Sequence, residues 1–249
     1  MTASQGIGLW HHTTFTNSRP IISFMSLPTP QPWKPTLDDA QLIRELLGDD
    51  TLAYLRKKHQ GGRSGAKGGR YEDIFAAVQI AESARLKGAA AGEVTIESQV
   101  AMCFIDDLLV IDVGLSKRTY FQLKNAATLS WSAGTHSIAE DCALQGRLFQ
   151  ARHEKGSECV IVTSNRDPAS HLADAMPAEI RAFTRVQWFP WETAPTVLCQ
   201  RWLSELSALA WLSKHETPSF HDVAEVLWAL QGVWAMQDGA VTALDMIEA

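Results

Sequence analysis

Two neighbouring β-prone segments carry polar side chains where a buried strand is normally apolar. The first spans residues 104–112 and contains Asp107, and the second spans residues 119–125 and contains Gln122 and Lys124. A carboxylate buried in an apolar strand is costly unless a cation or a basic group lies beside it. Lys124, on the adjacent strand, is the candidate partner. The sequence therefore predicts a sheet that carries a charged cluster.

The elements around these segments predict an α/β fold with a three-stranded antiparallel meander. The connection between the second and third strands, residues 114–118, is typical of a hairpin turn. The apolar run after the next helix is typical of a buried parallel strand. In chain order, the predicted core is a helix at 71–86, strands at 94–102, 104–113 and 119–125, a helix at 137–153, a buried strand at 158–164 and a short strand at 186–189.

The flanking regions differ from this core in composition. Five prolines among the first 36 residues predict an extended arm, which two short helices follow, starting near Thr36 and Asp50. Beyond residue 193 the apolar spacing is helical to the end, and six of the nine tryptophans lie from Trp188 onward. Their spacing favours packing over docking. We therefore divide the chain into segments 1–67, 68–192 and 193–249.

A basic, glycine-rich stretch precedes the core helix. Between Thr51 and Tyr71 the chain has no acidic residue, which is notable because its net charge is −6. That net charge argues against a surface that is basic throughout, but a local basic loop is suited to follow a phosphate backbone. A solvated linker is the alternative interpretation. The candidate nucleic-acid contacts are Lys57, Lys58, Arg63, Lys67 and Arg70.

Other classes of protein are disfavoured by composition. No apolar run approaches the roughly 20 residues that span a bilayer, and the N-terminus lacks the pattern of a signal peptide. We therefore expect a cytoplasmic protein without a membrane partner. The four cysteines are far apart and show no C-x-x-C spacing, which predicts buried free thiols rather than a zinc site or disulfides.

The polar residues of the two strands fit the chemistry of phosphodiester hydrolysis. Gln122 and Lys124 are two residues apart, so strand geometry places them on one face of the sheet. If the strands pair as a hairpin, Asp107 joins them. Oxygen ligands for a hard divalent cation then lie beside a lysine that can orient water or stabilise charge. An ion pair between Asp107 and Lys124 with a purely structural role is the alternative.

Three short motifs in this order resemble the PD-(D/E)XK, restriction-endonuclease-like nuclease superfamily. The motifs are Gly69-Arg70-Tyr71-Glu72 on a helix, Asp106-Asp107-Leu108-Leu109 on a strand, and Phe121-Gln122-Leu123-Lys124 on the next strand. The third motif is most similar to the Gln-x-Lys branch, which includes Mrr-type restriction enzymes and nuclease effectors of bacterial antiphage defence. The resemblance covers about residues 68–190.

This resemblance implies a restriction-endonuclease-like core with a helical C-terminal extension, and a DNA endonuclease that depends on Mg²⁺ or Mn²⁺. Asp107 would be the principal metal ligand, Gln122 would replace the usual carboxylate, Lys124 would be the catalytic lysine, and Glu72 would be the helix carboxylate that helps hold the metal. An amide oxygen binds Mg²⁺ less strongly than a carboxylate does. The resemblance also implies a role in antiphage defence, control by a signal or protein partner, and DNA as the other partner.

Several alternatives remain open at this point. Asp106 rivals Asp107 as the ligand, Asp73 rivals Glu72, and Glu97 on the first strand is a further carboxylate that could join the site. A second function is a nuclease-like subunit with weak or no catalysis that binds within a larger assembly. The tryptophan-rich tail, the proline-rich arm and the acidic net charge motivate it. A homodimeric, sequence-specific restriction enzyme is a third alternative.

Overall fold

A mixed six-stranded sheet organises the chain in the computed structural model, which describes residues 37–64, 69–237 and 239–249. The strands are β1 (Val94–Ser98), β2 (Leu108–Asp112), β3 (Lys117–Lys124), β4 (Glu158–Thr163), β5 (Thr184–Trp188) and β6 (Val241–Thr242). Their order across the sheet is β5-β4-β3-β2-β1-β6. The α/β class is therefore confirmed.

Helices lie on both faces of this sheet. They are α1 (Leu37–Leu47), α2 (Asp49–Ser64), α3 (Gly69–Lys87), α4 (Ile138–Ala151), α5 (Arg166–Asp174), α6 (Pro195–Arg201), α7 (Ser207–Leu212), α8 (Phe220–Ala235) and α9 (Ala243–Glu248). A short 3₁₀ helix, Gly88–Glu93, connects α3 to β1. Among the described residues, no helix is long and apolar enough to cross a membrane.

The strand pairings confirm the predicted meander. β1 and β2 are antiparallel, β2 and β3 are antiparallel, and Leu108 pairs with Phe121. β4 then pairs in parallel with both β3 and β5, with α4 and α5 as the crossovers. All residues of β4 after Glu158 are buried, because a parallel central strand is covered on both faces.

The helix α3 is surrounded by apolar partners rather than lying at the surface with one apolar stripe. Phe75 and Ile80 are fully buried, and so are the alanines between them. This burial results because α3 lies between the sheet and the C-terminal helices α7, α8 and α9, all within one hydrophobic core. The first turn of α3, which carries Glu72, is fixed by that packing.

The C-terminal region is helical, as predicted, but it is interrupted. The short strand β6, which the sequence did not predict, pairs with β1 and lies between α8 and α9. Trp202 and Trp234 pack against the core, which confirms packing for them, whereas Trp211 and Trp228 are about half exposed (49% and 50%). The expected aromatic packing therefore holds for part of the set.

The helix α2 is longer than predicted and packs near the site. It continues past Lys58 to Ser64 and includes two glycines of the basic stretch. Its apolar residues Leu52 and Leu55 pack against Phe104 and Leu148. The four cysteines are buried and free, as predicted.

Candidate functional site

The polar residues of the two central strands lie at one end of the sheet. Asp107 directly precedes β2, although its carbonyl still accepts from the Gln99 amide at 3.2 Å. Because Leu108 pairs with Phe121, Asp107 falls opposite Gln122, and Lys124 follows on the same face at the end of β3. The antiparallel register thus brings Asp107 and Gln122 together, as the sequence led us to expect.

Asp107 is held by two donors from β3. Its Oδ2 accepts from the Gln122 side-chain amide and, at 2.7 Å, from the Leu123 main-chain amide. Gln122 is 5% exposed, so its amide has little access to water and depends on this partner. Within the described residues, Oδ1 of Asp107 has no hydrogen bond. The carboxylate is therefore oriented by one oxygen and leaves the other available.

Glu72 reaches the same cluster from the first turn of α3. Its Oε2 accepts from the Gln99 side-chain amide at 3.2 Å. Burial and the nearby carboxylates of Asp107 and Asp73 raise the pKa of Glu72 to about 7, against the opposing effects of Gln99 and Lys124. The main-chain amide of the same Gln99 donates to the Asp107 carbonyl, so Glu72 is linked through Gln99 to the segment that carries Asp107.

Gln99 was not identified from the sequence. It adopts a positive φ of 52°, which is uncommon for a residue with a side chain and concentrates at functional sites. This backbone turn follows β1 and directs the amide of Gln99 to Glu72. Neither periodicity nor motif spacing marks such a residue.

The two consecutive aspartates have different environments. Asp106 is 3% exposed and pairs with Lys58 at 3.1 Å, on the side of the chain opposite to the Gln122 contact of Asp107. Burial, opposed by Lys58 and Lys124 and aided by the Asp107 carboxylate, raises the pKa of Asp106 to about 6. This arrangement favours Asp107 over Asp106 as the ligand.

Asp73 and Glu97, the other two carboxylates considered from the sequence, also have different environments. Asp73 is hydrogen-bonded to Trp234, and burial raises its pKa, so its side chain is engaged with α8. Glu97 on β1 pairs with Leu109 on β2. Leu109 lies two residues after Asp107, so Glu97 shares the sheet face of Asp107. Its Oε2 is buried without a hydrogen-bond partner among the described residues, and burial raises its pKa to about 7.

Lys58 contributes to the site's architecture instead of projecting into solvent. Its ammonium contacts Asp106, Asp141 at 3.2 Å, and the Phe104 carbonyl. Burial favours the neutral amine, but Asp106 and Asp141 outweigh it and raise the pKa of Lys58. Tyr54 completes the network through a 3.3 Å bond to Asp141.

The remaining predicted nucleic-acid contacts have unequal support. Lys57 is exposed on α2 and is free to approach a phosphate. The side chains of Arg63 and Arg70, and the whole of Lys67, lie outside the described residues. The basic stretch as a contact surface therefore stays a prediction.

A fully buried glutamine fixes the segment that leads into the aspartate pair. Oε1 of Gln145, on α4, accepts from the main-chain amides of Phe104 at 2.8 Å and Ile105 at 3.4 Å. These residues belong to no strand, so their amides have no sheet partner. Gln145 thus supplies the hydrogen-bond acceptor that a neighbouring strand would otherwise provide, just before Asp106 and Asp107.

The donor set is suited to a hard divalent cation. The carboxylates of Glu72 and Asp107 and the amide of Gln122 supply oxygen atoms beside the lysine. The amide nitrogen of Gln122 donates to Asp107, so the amide oxygen is the atom of this side chain that could bind a cation. Within the described residues, no group of three or more histidine, cysteine, aspartate or glutamate side chains forms a metal-binding cluster.

Comparisons with protein-family models, with curated proteins and with solved structures gave no match. The class of the site is therefore argued from its own residues. These residues are two carboxylates, an amide and a lysine that converge from three elements at one end of the sheet.

Proposed function

We propose that this chain is a metal-dependent endonuclease that hydrolyses phosphodiester bonds in DNA. The observation that carries the proposal is the convergence of Glu72, Asp107, Gln122 and Lys124 from α3, the start of β2 and the end of β3. The alternative is a structural ion pair between Asp107 and Lys124, but among the described residues no salt bridge joins them: Asp107 accepts from Gln122 and Leu123, and the buried Asp106 pairs with Lys58. That alternative does not account for the buried amide of Gln122 or the elevated pKa of Glu72.

Each residue has a role that its position allows. Asp107, through Oδ1, with Glu72 and the amide oxygen of Gln122, would hold Mg²⁺ or Mn²⁺. When bound, such a cation polarises a phosphoryl oxygen and lowers the pKa of water. Lys124, at the end of β3, is placed to stabilise charge that develops on the phosphate. Burial and the neighbouring carboxylates raise the pKa of Glu72 without metal, and a bound cation would oppose that shift by favouring the carboxylate.

The order of elements supports a restriction-endonuclease-like core. Helix α3, the antiparallel β1–β3 meander, helix α4 and the parallel strand β4 follow in the order that the resemblance implies. The helices α6 to α9 form the C-terminal extension on the α3 side of the sheet.

The cellular role that we propose rests on the resemblance to the Gln-x-Lys branch. We propose a cytoplasmic nuclease effector of bacterial antiphage defence, controlled by a protein partner or a signal. Expression with neighbouring genes in a phage-sensitive bacterium tests this role. A reduction in phage plaques that is lost with Lys124→Ala supports it, and equal plaque numbers with and without the chain contradict it.

Cleavage of supercoiled plasmid tests the activity itself. Wild type should nick or linearise the plasmid with Mg²⁺ or Mn²⁺ and not with EDTA, and Lys124→Ala should not. Lys155→Ala is the matched control, because Lys155 is exposed in the loop before β4 at the other end of the sheet. Loss of cleavage in both lysine variants, or in neither, contradicts the assignment of Lys124.

A second candidate function is favoured by one specific contact. Oδ2 of Asp107 is already satisfied by Gln122 and Leu123, which is also what a catalytically silent scaffold would need. In that case the chain would be a nuclease-like binding subunit of an assembly. Absence of heat on titration with Mg²⁺ and Mn²⁺, together with co-purification of a neighbouring gene product, would select this function over the enzyme.

A further inference from the structure

A cation lies on an aromatic pair at the same end of the sheet as the candidate site. The guanidinium carbon of Arg166 is 4.0 Å from the ring centroid of Trp188 and 5.4 Å from that of Trp202. The two indoles are in edge contact, with centroids 5.0 Å apart and planes at 71°. The side chain of Arg166 is 62% exposed. An arginine on an aromatic surface is thus presented to solvent.

Hydrogen bonds connect this cluster to Lys124. The Ser164 amide donates to the Lys124 carbonyl at 3.2 Å, and the Trp188 indole donates to the Ser164 carbonyl at 3.2 Å. In the sheet register, Thr163 pairs with Lys124 on one side and with Trp188 on the other. Neighbouring strands are separated by about 4.8 Å, so the Trp188 backbone lies about 10 Å from that of Lys124.

The loop that carries Arg166 is also fixed relative to the end of β3. The Asn165 side-chain amide donates to the Ala126 carbonyl at 3.2 Å. Arg166 itself begins α5, directly after this residue. The cluster is therefore held in a defined position beside the site by hydrogen bonds from both connecting loops.

The chemistry of the cluster suits an unpaired nucleotide. Exposed bases stack on aromatic rings and on the planes of arginine guanidinium groups, and the same guanidinium donates to phosphates. The Arg166 guanidinium lies over Trp188, and 62% of the Arg166 side chain is still exposed to solvent. Its acidic partner, Glu205, is 3.6 Å away, an exposed ion pair that a phosphate can replace.

We propose that Arg166 and Trp188 form a stacking contact for an unpaired nucleotide of the nucleic-acid strand whose backbone passes Asp107 and Lys124. The location of that strand rests on the proposed nuclease function. The contact itself is a binding property, at a position whose backbone lies about 10 Å from that of Lys124. The substrate class would be DNA with a single-stranded or locally opened region.

Fluorescence anisotropy of a labelled single-stranded oligodeoxynucleotide, in EDTA, tests the contact without cleavage. Arg166→Ala and Trp188→Ala should each bind about tenfold more weakly than wild type. Arg166→Ala should also reduce the slope of log affinity against log salt by about 0.7, the value for one phosphate contact on a single strand. Arg166→Lys should keep the wild-type salt slope but lose most of the stacking on the base, because lysine retains the positive charge and lacks the planar guanidinium.

Two controls match these variants. Arg185→Ala removes an arginine from the opposite end of β5, where it contacts Glu158 and Gln187, and Trp228→Ala removes a half-exposed tryptophan from α8. Both should bind the oligonucleotide as wild type does. Circular dichroism and thermal unfolding of every variant separate lost contacts from lost fold, and Arg166→Ala, at an exposed residue, should be fully folded.

The outcomes distinguish this inference from the nuclease proposal. Binding that falls in both cluster variants but in neither control supports the contact, even if no chain cleaves plasmid. Wild-type affinity in Arg166→Ala, or tighter binding of a duplex of the same length than of the single strand, would overturn it. Failure of wild type to bind any labelled strand would also overturn it, whatever the plasmid assay shows.

Discussion

The side-chain amide of Gln122 donates to Oδ2 of Asp107, in a pair that the register of β2 and β3 places face to face. The main-chain amide of Leu123 donates to the same oxygen at 2.7 Å. Two donors on one oxygen restrict the carboxylate to a single orientation. Gln122 therefore orders Asp107 without metal, and a carboxylate at position 122 would repel it.

Substitution of Gln122 by glutamate should make the fold dependent on metal. Gln122→Glu replaces the donor with a second carboxylate, so without metal we expect a loss of about 1–3 kcal/mol in the free energy of unfolding. With Mg²⁺, the added carboxylate is a better ligand and the variant should gain more stability than wild type. Thermal unfolding in EDTA and in Mg²⁺ measures both effects.

Gln187→Glu on β5 provides the control for that substitution. Gln187 accepts from Arg185, so a carboxylate there gains a partner instead of a repulsion. Its melting temperature should not change with Mg²⁺ more than that of wild type. Equal metal response in Gln122→Glu and wild type would contradict the assignment of residue 122 to the metal site.

Removal of the Lys58 ammonium should unfold or strongly destabilise the chain. Lys58→Met leaves the buried carboxylate of Asp106 without its cation, and breaking a buried pair typically costs about 3–5 kcal/mol. The double variant Lys58→Met/Asp106→Asn should recover part of that loss, because it removes one of the two carboxylates, Asp106 and Asp141, that lose their cation. Urea unfolding of the single and double variants measures the difference.

The neighbouring Lys57 provides a contrast. Lys57 is exposed, so Lys57→Ala should leave the urea midpoint unchanged. If Lys57 contacts a phosphate, the same variant should reduce the salt dependence of DNA binding. A stable Lys58→Met with weakened DNA binding would contradict the structural role that we assign to Lys58.

Loss of the Gln145 carbonyl should loosen the segment before the aspartates. Gln145→Leu keeps a similar volume but leaves the amides of Phe104 and Ile105 without their acceptor, at a cost of about 1–3 kcal/mol. Hydrogen exchange at Phe104 and Ile105 should accelerate more than exchange in β4. Unchanged exchange at those two amides would contradict the role of Gln145.

Stability should depend on pH through the buried carboxyl of Glu97. Its pKa is raised from 4.5 to about 7 by burial, so the folded state binds more protons than the unfolded state between those values. The free energy of unfolding therefore falls as pH rises from about 4.5 to 7. Glu97→Gln should be about 1 kcal/mol more stable than wild type at about pH 8, after solvent screening, and nearly equal at about pH 5.

Glu72 has a similarly raised pKa, so part of this pH dependence should persist in Glu97→Gln. Urea unfolding across the pH range, without metal, measures the two slopes. A variant with the same slope as wild type would show that Glu97 ionises in the fold at its ordinary pKa.

Local patterns were sufficient to predict the meander and the pairing of Asp107 with Gln122. The hairpin turn fixes the register of β2 and β3, and register fixes which side chains face each other. The apolar run of β4 likewise indicated a parallel central strand. The α/β class and most of the core elements could therefore be predicted from the sequence.

Long-range contacts were not predictable in the same way. The ion pairs of Lys58 join residues that are far apart in the chain, and only tertiary packing decides that Lys58 lies inward while Lys57 lies outward. Gln99 reaches Glu72 through an uncommon backbone angle, and β6 is only two residues long. Single-sequence periodicity carries no signal for such features.

The most direct test of the metal-site assignment is plasmid cleavage by two matched aspartate variants. Asp107 and Asp112 lie at opposite ends of β2, and Asp112 is paired with Lys87 away from the site. With Mg²⁺, wild type and Asp112→Asn should convert supercoiled plasmid at similar rates, and Asp107→Asn should be at least about a hundredfold slower. Equal rates for Asp107→Asn and wild type, or no cleavage by wild type with either Mg²⁺ or Mn²⁺, would contradict the account.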